Sequence, residues 1–394
     1  MADLTTLPTV SPGLVRTAYR LSQGLRMAWY SGLYRLTSQI TSRVPAAPEV
    51  KARMPSRRDL MAGLEDLLAR DLANIEAGRY RMPHDWLPRP AAWLTQAARY
   101  LVDLREVERR RRHRDGQEVW REAERRGYPR YYLQNFHYQT DGYLSRRSAE
   151  LYDVQVEVLF GGSADAMRRQ ALPPLGEHLA GRGIAGTRLL DVACGTGRFL
   201  GFVKDNWPRL ETVGLDMSGA YLAAAGDALR PYRRVRLVEG AAERLPFADG
   251  SFDIVSCLYL LHELPRKVRR LAAAEISRAL APGGLLLLVD SLQLGDVPAY
   301  DALLEHFPVA FHEPYYADYV RDDLGAMFAA AGLRPEGTEI AYLSRVMRFR
   351  KPETAARARV SAAKRPMPPT ARNRAERSPT GGRSRRARSI RGGA

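Results

Sequence analysis

The chain of 394 residues has only two cysteines, Cys194 and Cys257, too few for a disulfide framework. Both fall in expected sheet regions, which points to a reducing compartment and a cytoplasmic protein. No run of 18 apolar residues occurs, so no membrane-spanning helix is expected. No metal site is expected either. Acidic residues are scarce beside basic ones, 44 Asp+Glu against 61 Lys+Arg, for a net charge of +17. Much of that excess sits in one place. Pro352 to Ala394 holds 12 Lys+Arg and 2 Asp+Glu, leaving +7 on the preceding 351 residues. This segment also nearly lacks large apolar side chains. It cannot bury enough surface to offset the entropy of ordering, so 352–394 is expected to be a disordered basic tail. It is either a solvated tail or an electrostatic tether to nucleic acid or anionic lipid.

Residues 1–48 have a single acid, Asp3, and five arginines: Arg16, Arg20, Arg26, Arg35 and Arg43. Leu14, Tyr19, Met27, Trp29, Tyr30, Leu33 and Tyr34 lie between them. That composition suits a basic amphipathic helix peripheral to a membrane, a transit peptide, or a surface helix docked on its own domain. Residues 57–80 place Leu60, Leu64, Leu67, Leu68 and Leu72 on one helical face. A second helix is expected from Ala91 to about Arg126, its Arg105–Arg114 charge run forming a solvated face or a nucleic-acid contact. Residues 1–127 thus read as an all-helical extension.

Tyr128 to Leu144 holds five tyrosines, one phenylalanine and one histidine, which neither helical period nor strand alternation explains. It is either a packed linker or a lid over a ligand pocket, where rigid rings with polar tips suit recognition. One or two helices broken at Gly161-Gly162 are expected over 148–172, and residues 128–186 lead into a domain that begins at Thr187.

Thr187 to Phe199 reads Thr-Arg-Leu-Leu-Asp-Val-Ala-Cys-Gly-Thr-Gly-Arg-Phe. A buried strand closes at Asp191, Gly195 and Gly197 make a tight turn, and a helix comes next. Strand, glycine turn and helix make a ligand crevice in open α/β sheets. Leu200 stands where a dinucleotide fingerprint needs its third glycine, so that motif is absent. Strands are expected at 187–192, 211–216, 234–239, 252–258 and 285–290. Helices are expected at 197–206, 218–229, 266–280 and 318–331, with a closing hairpin within 333–350. Such alternation indicates right-handed βαβ units and a mostly parallel sheet. Asp216 ends the second strand 21 residues after Gly195, where an acid accepts ribose hydroxyls.

The order Asp191-x-x-Cys-Gly-Thr-Gly, Asp216, Glu243-Arg-Leu-Pro-Phe, Phe252-Asp-Ile-Val and Pro282-Gly-Gly resembles class I S-adenosylmethionine-dependent methyltransferases. The methyltransferase type 11 core, with its quinone and small-molecule enzymes, is the nearest match. It covers about 187–290 well and reaches 351 less specifically. The resemblance implies a Rossmann-like α/β sheet over 187–351 and S-adenosyl-L-methionine as cofactor. Asp191, Ala193, Gly195 and Gly197 would face the methionine part, Asp216 the ribose, and Met217, Ala242 and Glu243 the adenine. The chain has Ala241 where many relatives have Asp, so either Glu243 or backbone atoms would read the adenine. His137, Tyr138, Asp141 and Tyr143 become acceptor-side residues by the same resemblance. Tyr315 and Tyr316 would line an apolar acceptor pocket or simply pack.

The implied reaction is methyl transfer from a sulfonium to a nucleophilic O, C or N. Holding donor and acceptor in line supplies effective molarities of about 10⁵–10⁸ M. A base is needed only for a protonated acceptor, and His137, His262 and His312 are the residues with suitable ordinary pKa values. The aromatic segment and basic start favour a small aromatic or lipid-soluble acceptor. The Arg-rich tail suggests RNA or protein instead. Against that alternative, Ser256-Cys-Leu-Tyr stands where an amino-methylating Asn/Asp-Pro-Pro-Tyr/Phe motif would follow the fourth strand.

Overall fold

The computed structural model describes residues 12–41, 53–87, 89–123 and 127–353. The tail expected to be disordered lies, from residue 354 on, outside the described residues.

Short apolar runs build a seven-stranded sheet in the order β3-β2-β1-β4-β5-β7-β6. Its strands are β1 (Arg188–Val192), β2 (Glu211–Asp216), β3 (Val235–Glu239), β4 (Phe252–Leu258), β5 (Leu280–Ser291), β6 (Arg334–Ala341) and β7 (Ser344–Arg350). The first five pair in parallel and β7 runs antiparallel between β5 and β6. Leu285 to Val289 is buried throughout, because helices cover both faces of the strand. The strand order reverses between β1 and β4, the switch point where an α/β sheet opens a crevice at its carboxyl edge.

Thirteen helices are present among the described residues. The N-terminal ones are α1 (Pro12–Ile40), α2 (Arg57–Glu76), α3 (Pro90–His113) and α4 (Glu118–Ala123). Next come α5 (Arg146–Leu159), α6 (Ala164–Arg169) and α7 (Leu172–Arg182). The sheet carries α8 (Arg198–Asn206), α9 (Gly219–Leu229), α10 (Arg266–Ala279), α11 (Asp301–Ala310), α12 (Tyr316–Tyr319) and α13 (Leu324–Ala330).

Three expectations change. The helix from Ala91 stops at His113, because Arg114 turns left-handed (φ 51°) and the chain then passes beneath His312 at Gly116, where a Cβ would meet the ring at 2.3 Å. The helix over 318–331 is two pieces, because the Asp323 side chain caps a new start by accepting from Ala326 N. The run Arg105–Arg114 is not wholly a solvated face. Arg110 is buried, and its guanidinium donates to Tyr138 O at 3.3 Å and Thr140 Oγ1 at 3.1 Å. A basic residue of that run therefore holds the aromatic segment. Helix α11, which carries Pro308, was not expected.

Helix α1 packs on its own domain through Tyr19, Tyr30 and Leu33. Two polar knots fasten it. Arg26 pairs with Glu157 on α5 at 3.1 Å and Asp165 on α6 at 2.8 Å. Asp71 on α2, fully buried, accepts from Tyr19 Oη at 2.7 Å, Tyr80 Oη at 2.6 Å and both Nε and Nη2 of Arg169 at 3.0 and 2.5 Å.

Candidate functional site

The principal cleft opens at the carboxyl ends of β1, β2, β3 and β4. Its floor is Asp191, Ala193, Cys194, Gly195 and Thr196 after β1, with Asp216 and Met217 after β2. Gly240, Ala242 and Glu243 follow β3, and Leu258 to Leu260 with Glu263 follow β4. Its roof is Tyr131, Tyr132, Phe136 and Tyr143 from the aromatic segment, with Tyr152 from α5 and Tyr221 from α9 beside them.

The glycine turn has local causes. Gly195 (φ 54°) and Gly197 (φ 76°) adopt backbone that side chains disfavour. A Cβ on Gly197 would also come within 2.8 Å of Leu229 on α9, so glycine is what lets α8 and α9 approach. Ala193 (φ 58°) and Tyr259 (φ 55°) carry the same disfavoured backbone at the ends of β1 and β4, and both line the cleft. Strain held in place by surrounding structure concentrates at working sites.

Asp216 Oδ2 accepts from Gly195 N at 2.8 Å, and Oδ1 from Ser218 N at 2.9 Å. It therefore braces the glycine turn and holds Ser218, the residue whose hydroxyl caps the start of α9. Each carboxylate oxygen retains a further lone pair for a ribose hydroxyl. Burial raises the Asp216 pKa, opposed by those backbone N–H groups. Asp191 is pushed up to about 7 by burial, opposed by the Ser256 hydroxyl, which donates at 2.7 Å. Glu243 Oε1 accepts from Tyr131 Oη at 2.5 Å, which pins roof to floor, whereas Oε2 is buried with no partner. An orphaned buried acceptor in a lining is what an incoming N–H donor, such as an adenine amino group, would satisfy.

Two lining residues were not legible in the sequence. Arg168 on α6 lies with its guanidinium 5.6 Å from the Tyr259 ring centroid. Asp153 on α5 accepts from Thr196 Oγ1 at 3.0 and 3.1 Å. Together they set a buried cation and a half-buried carboxylate beside the Gly195 turn, the pair that an amino-acid zwitterion requires. Their packing comes from α5 and α6, far from the turn in sequence, and no local pattern marks it. S-adenosylmethionine fits this donor set: Arg168 and Asp153 would hold its amino-acid end, Asp216 its ribose and Glu243 its adenine.

The aromatic segment is held as a rigid piece. His137 (φ 53°), Tyr138 (φ 56°), Asp141 (φ 61°) and Gly142 (φ 51°) turn it tightly. Asn135 Nδ2 donates to Gln139 O at 2.9 Å, and Ser218 Oγ donates to Tyr143 O at 2.5 Å. Of the acceptor-side residues named from sequence, Tyr143 lines the cleft, while Tyr138, Asp141, Tyr315 and Tyr316 stand outside its lining. Tyr138 lies tilted against His312, and Tyr316 packs among Phe307, His262 and Tyr319. Gly197 acts one layer below the surface of the cleft.

The three histidines also stand behind the lining. His312 Nε2 faces Gln134 Oε1 at 2.9 Å, and burial lowers its pKa. His137, with edges toward Phe307 and Phe311, is lowered to about 3 by burial and by His262 and His312. His262 goes the other way. Burial opposes its charge, but Asp290, 2.6 Å from Nδ1, together with Glu263 and Glu313 raises it to about 9. Carboxylates at 263, 290 and 313 converge on it, and the cleft sees only Glu263.

A family model described as a methyltransferase domain matches residues 189–284. A demethylmenaquinone methyltransferase of Lysinibacillus sphaericus is 27% identical over 177 residues, 45% of this chain and 66% of the relative. One from Staphylococcus aureus is 36% identical over 109 residues, 27% of this chain and 44% of the relative. The chain thus spans less than two thirds of the length of these curated relatives. Among solved structures, YcgJ of Bacillus subtilis aligns at 20% identity over 47% of this chain and 100% of its own, with a TM-score of 0.37. A putative methyltransferase of Bacillus halodurans aligns at 22% identity over 45% of this chain and 98% of its own, with a TM-score of 0.35. Residues 189–284 thus match a methyltransferase domain, and the strand order, the acid-ended β1 and β2 and the glycine turn between them agree with the class I S-adenosylmethionine-dependent pattern.

Proposed function

We propose that the chain transfers the sulfonium methyl of S-adenosylmethionine to a small aromatic or lipid-soluble acceptor of quinone type. The observation that carries this reading is the two-sided lining of one cleft. Polar groups at Asp153, Arg168, Asp216 and Glu243 gather on the floor side, and six aromatic rings line the roof side. Aromatic rings offer an acceptor ring broad apolar area and offset or edge contacts worth about 0.5–1.5 kcal/mol each. The two relatives named demethylmenaquinone methyltransferases support an acceptor of that class. The test is transfer of labelled methyl from S-adenosylmethionine to a panel of hydroquinones, phenols, amines and RNA. Label on a hydroquinone ring or its oxygen is expected, and label on RNA alone would overturn the reading.

A lipid-soluble acceptor calls for a surface that meets lipid, and α1 supplies one. Leu14, Leu21, Leu25, Leu36 and Ile40 are exposed, recurring on the side away from buried Tyr19, Tyr30 and Leu33. Trp86 and Leu87 are exposed beside them, since Ser22 Oγ donates to Trp86 O. Helix α1 has no acidic residue and four arginines. We infer that this face rests on an anionic bilayer. The chain is expected to sediment with phosphatidylglycerol vesicles and far less with neutral ones. Leu21→Asp with Leu25→Asp should weaken that partition at least tenfold. Equal partition of variant and parent would remove α1 from the interface.

A further inference from the structure

Five titratable side chains converge beside the cleft, and only Glu263 reaches it. Glu263 lines the cleft and accepts from Tyr143 Oη through Oε1 at 2.5 Å. Its Oε2 makes no hydrogen bond among the described residues. On its inner side His262 Nε2 lies 4.0 Å away, and His262 is held in turn by Asp290. Glu313 is fully buried on the same side. His137 Nε2 is 3.2 Å from its Oε1, without hydrogen-bond alignment, so both carboxyl oxygens lack a proper partner.

A buried carboxyl with no donors is stable only when neutral. Glu313 accordingly has its pKa raised well above the ordinary value, by burial first and then by Glu263. Glu263 differs in having one donor, one charged neighbour and a place in the cleft lining.

We propose that Glu263 is the proton acceptor of the transfer, aimed by Tyr143 and backed by the His262–Asp290 pair and Glu313, and that the acceptor presents a phenol or enol hydroxyl. This rests on the methyltransferase reading of the cleft. As the acceptor oxygen forms its bond to the methyl carbon, the carbon–sulfur bond breaks and its electron pair stays on sulfur, giving a neutral thioether. The hydroxyl proton passes to Glu263 Oε2, and solvent takes it up after product leaves. No oxidant or further reactant is required. The roof adds direction: Tyr143 fixes Oε1, so Oε2 is left as the free base.

The groups facing Glu263 are His262 on its own turn, Tyr143 from the aromatic segment, Tyr152 on α5, Asp216 after β2, Asp290 on β5 and Glu313 before α12. Burial raises Glu263, opposed by His262 and Tyr143, and the carboxyl titrates at about 7. The active form is the carboxylate, so kcat/KM should rise with pH and reach half its plateau near 7.

Two measurements on the full chain decide the matter. The first follows formation of S-adenosylhomocysteine from a bicyclic hydroquinone and from a more acidic chlorinated analogue, across pH. Glu263→Gln should lower kcat at least about 100-fold, the range of a lost general base, with unchanged affinity for S-adenosylhomocysteine. The analogue should recover at least tenfold of that loss, because its hydroxyl ionises unaided. Tyr143→Phe, a positioning change, should shift the pH limb. A Glu263→Gln enzyme within threefold of the parent and keeping the limb would overturn the proposal. The second needs no acceptor: infrared difference spectra of parent against Glu263→Gln should show a carboxyl titrating near 7. Titration below pH 5 overturns the assignment. If the carboxyl titrates near 7 but neither hydroquinone is methylated, the base stands and the quinone-type acceptor falls.

Discussion

Asp71→Ala is expected to cost about 3–5 kcal/mol of folding stability, the cost of breaking a buried ion pair from one side. The reason is what the mutation leaves behind. Arg169 would remain buried with its two-pronged carboxylate gone, and the hydroxyls of Tyr19 and Tyr80 would lose their acceptor. Residues of α1, α2, the following turn and α6 meet at this one carboxylate. The loss should therefore be felt throughout the helical extension, including Arg168, one residue from Arg169 and part of the cleft. Urea unfolding monitored by tryptophan fluorescence measures it. A loss below about 1 kcal/mol would mean that the helices are held by apolar packing and that the knot contributes only direction.

Asp216→Ala should weaken binding of S-adenosylhomocysteine by roughly 10- to 150-fold, corresponding to about 1.5–3 kcal/mol of charge-assisted hydrogen bonding. The carboxylate also braces Gly195 N and Ser218 N. A drop in stability of about 1 kcal/mol should accompany the change, comparable to losing a helix cap. Calorimetric titration separates the two effects when run well below the unfolding temperature. Affinity equal to that of the parent would reduce Asp216 to a structural brace and move the ribose elsewhere.

The sequence made the frame legible because its signals are local. The runs ending at Asp191 and Asp216 are strands that close with an acid, and Gly195 and Gly197 stand where the backbone turns left-handed. Each of these is decided within a few residues. The packing of the polar side chains was not legible for the opposite reason. In His262-Glu263 and His312-Glu313 the histidines drew attention, since their ordinary pKa suits proton transfer. The fold instead aims Glu263 at the cleft and holds His262 charged against Asp290, 28 residues away. Arg168 and Asp153 enter the lining through the seating of α5 against α9 and of α6 against α8, which no spacing encodes. Arg110 sits in a run that looks solvated, yet the aromatic segment folds back over it. Tertiary contact overrides composition there.

On the proposed reading one cleft holds S-adenosylmethionine between the glycine turn and the aromatic roof, with the transferable methyl facing the rings. A crystal structure of the full chain with S-adenosylhomocysteine tests it most directly. The ribose is expected on Asp216, the adenine beside Glu243, the amino-acid end at Arg168 and Asp153, and the sulfur turned toward Tyr143 and Glu263. A nucleoside bound outside this lining, or an adenine lying in the aromatic half against Tyr143, would contradict it.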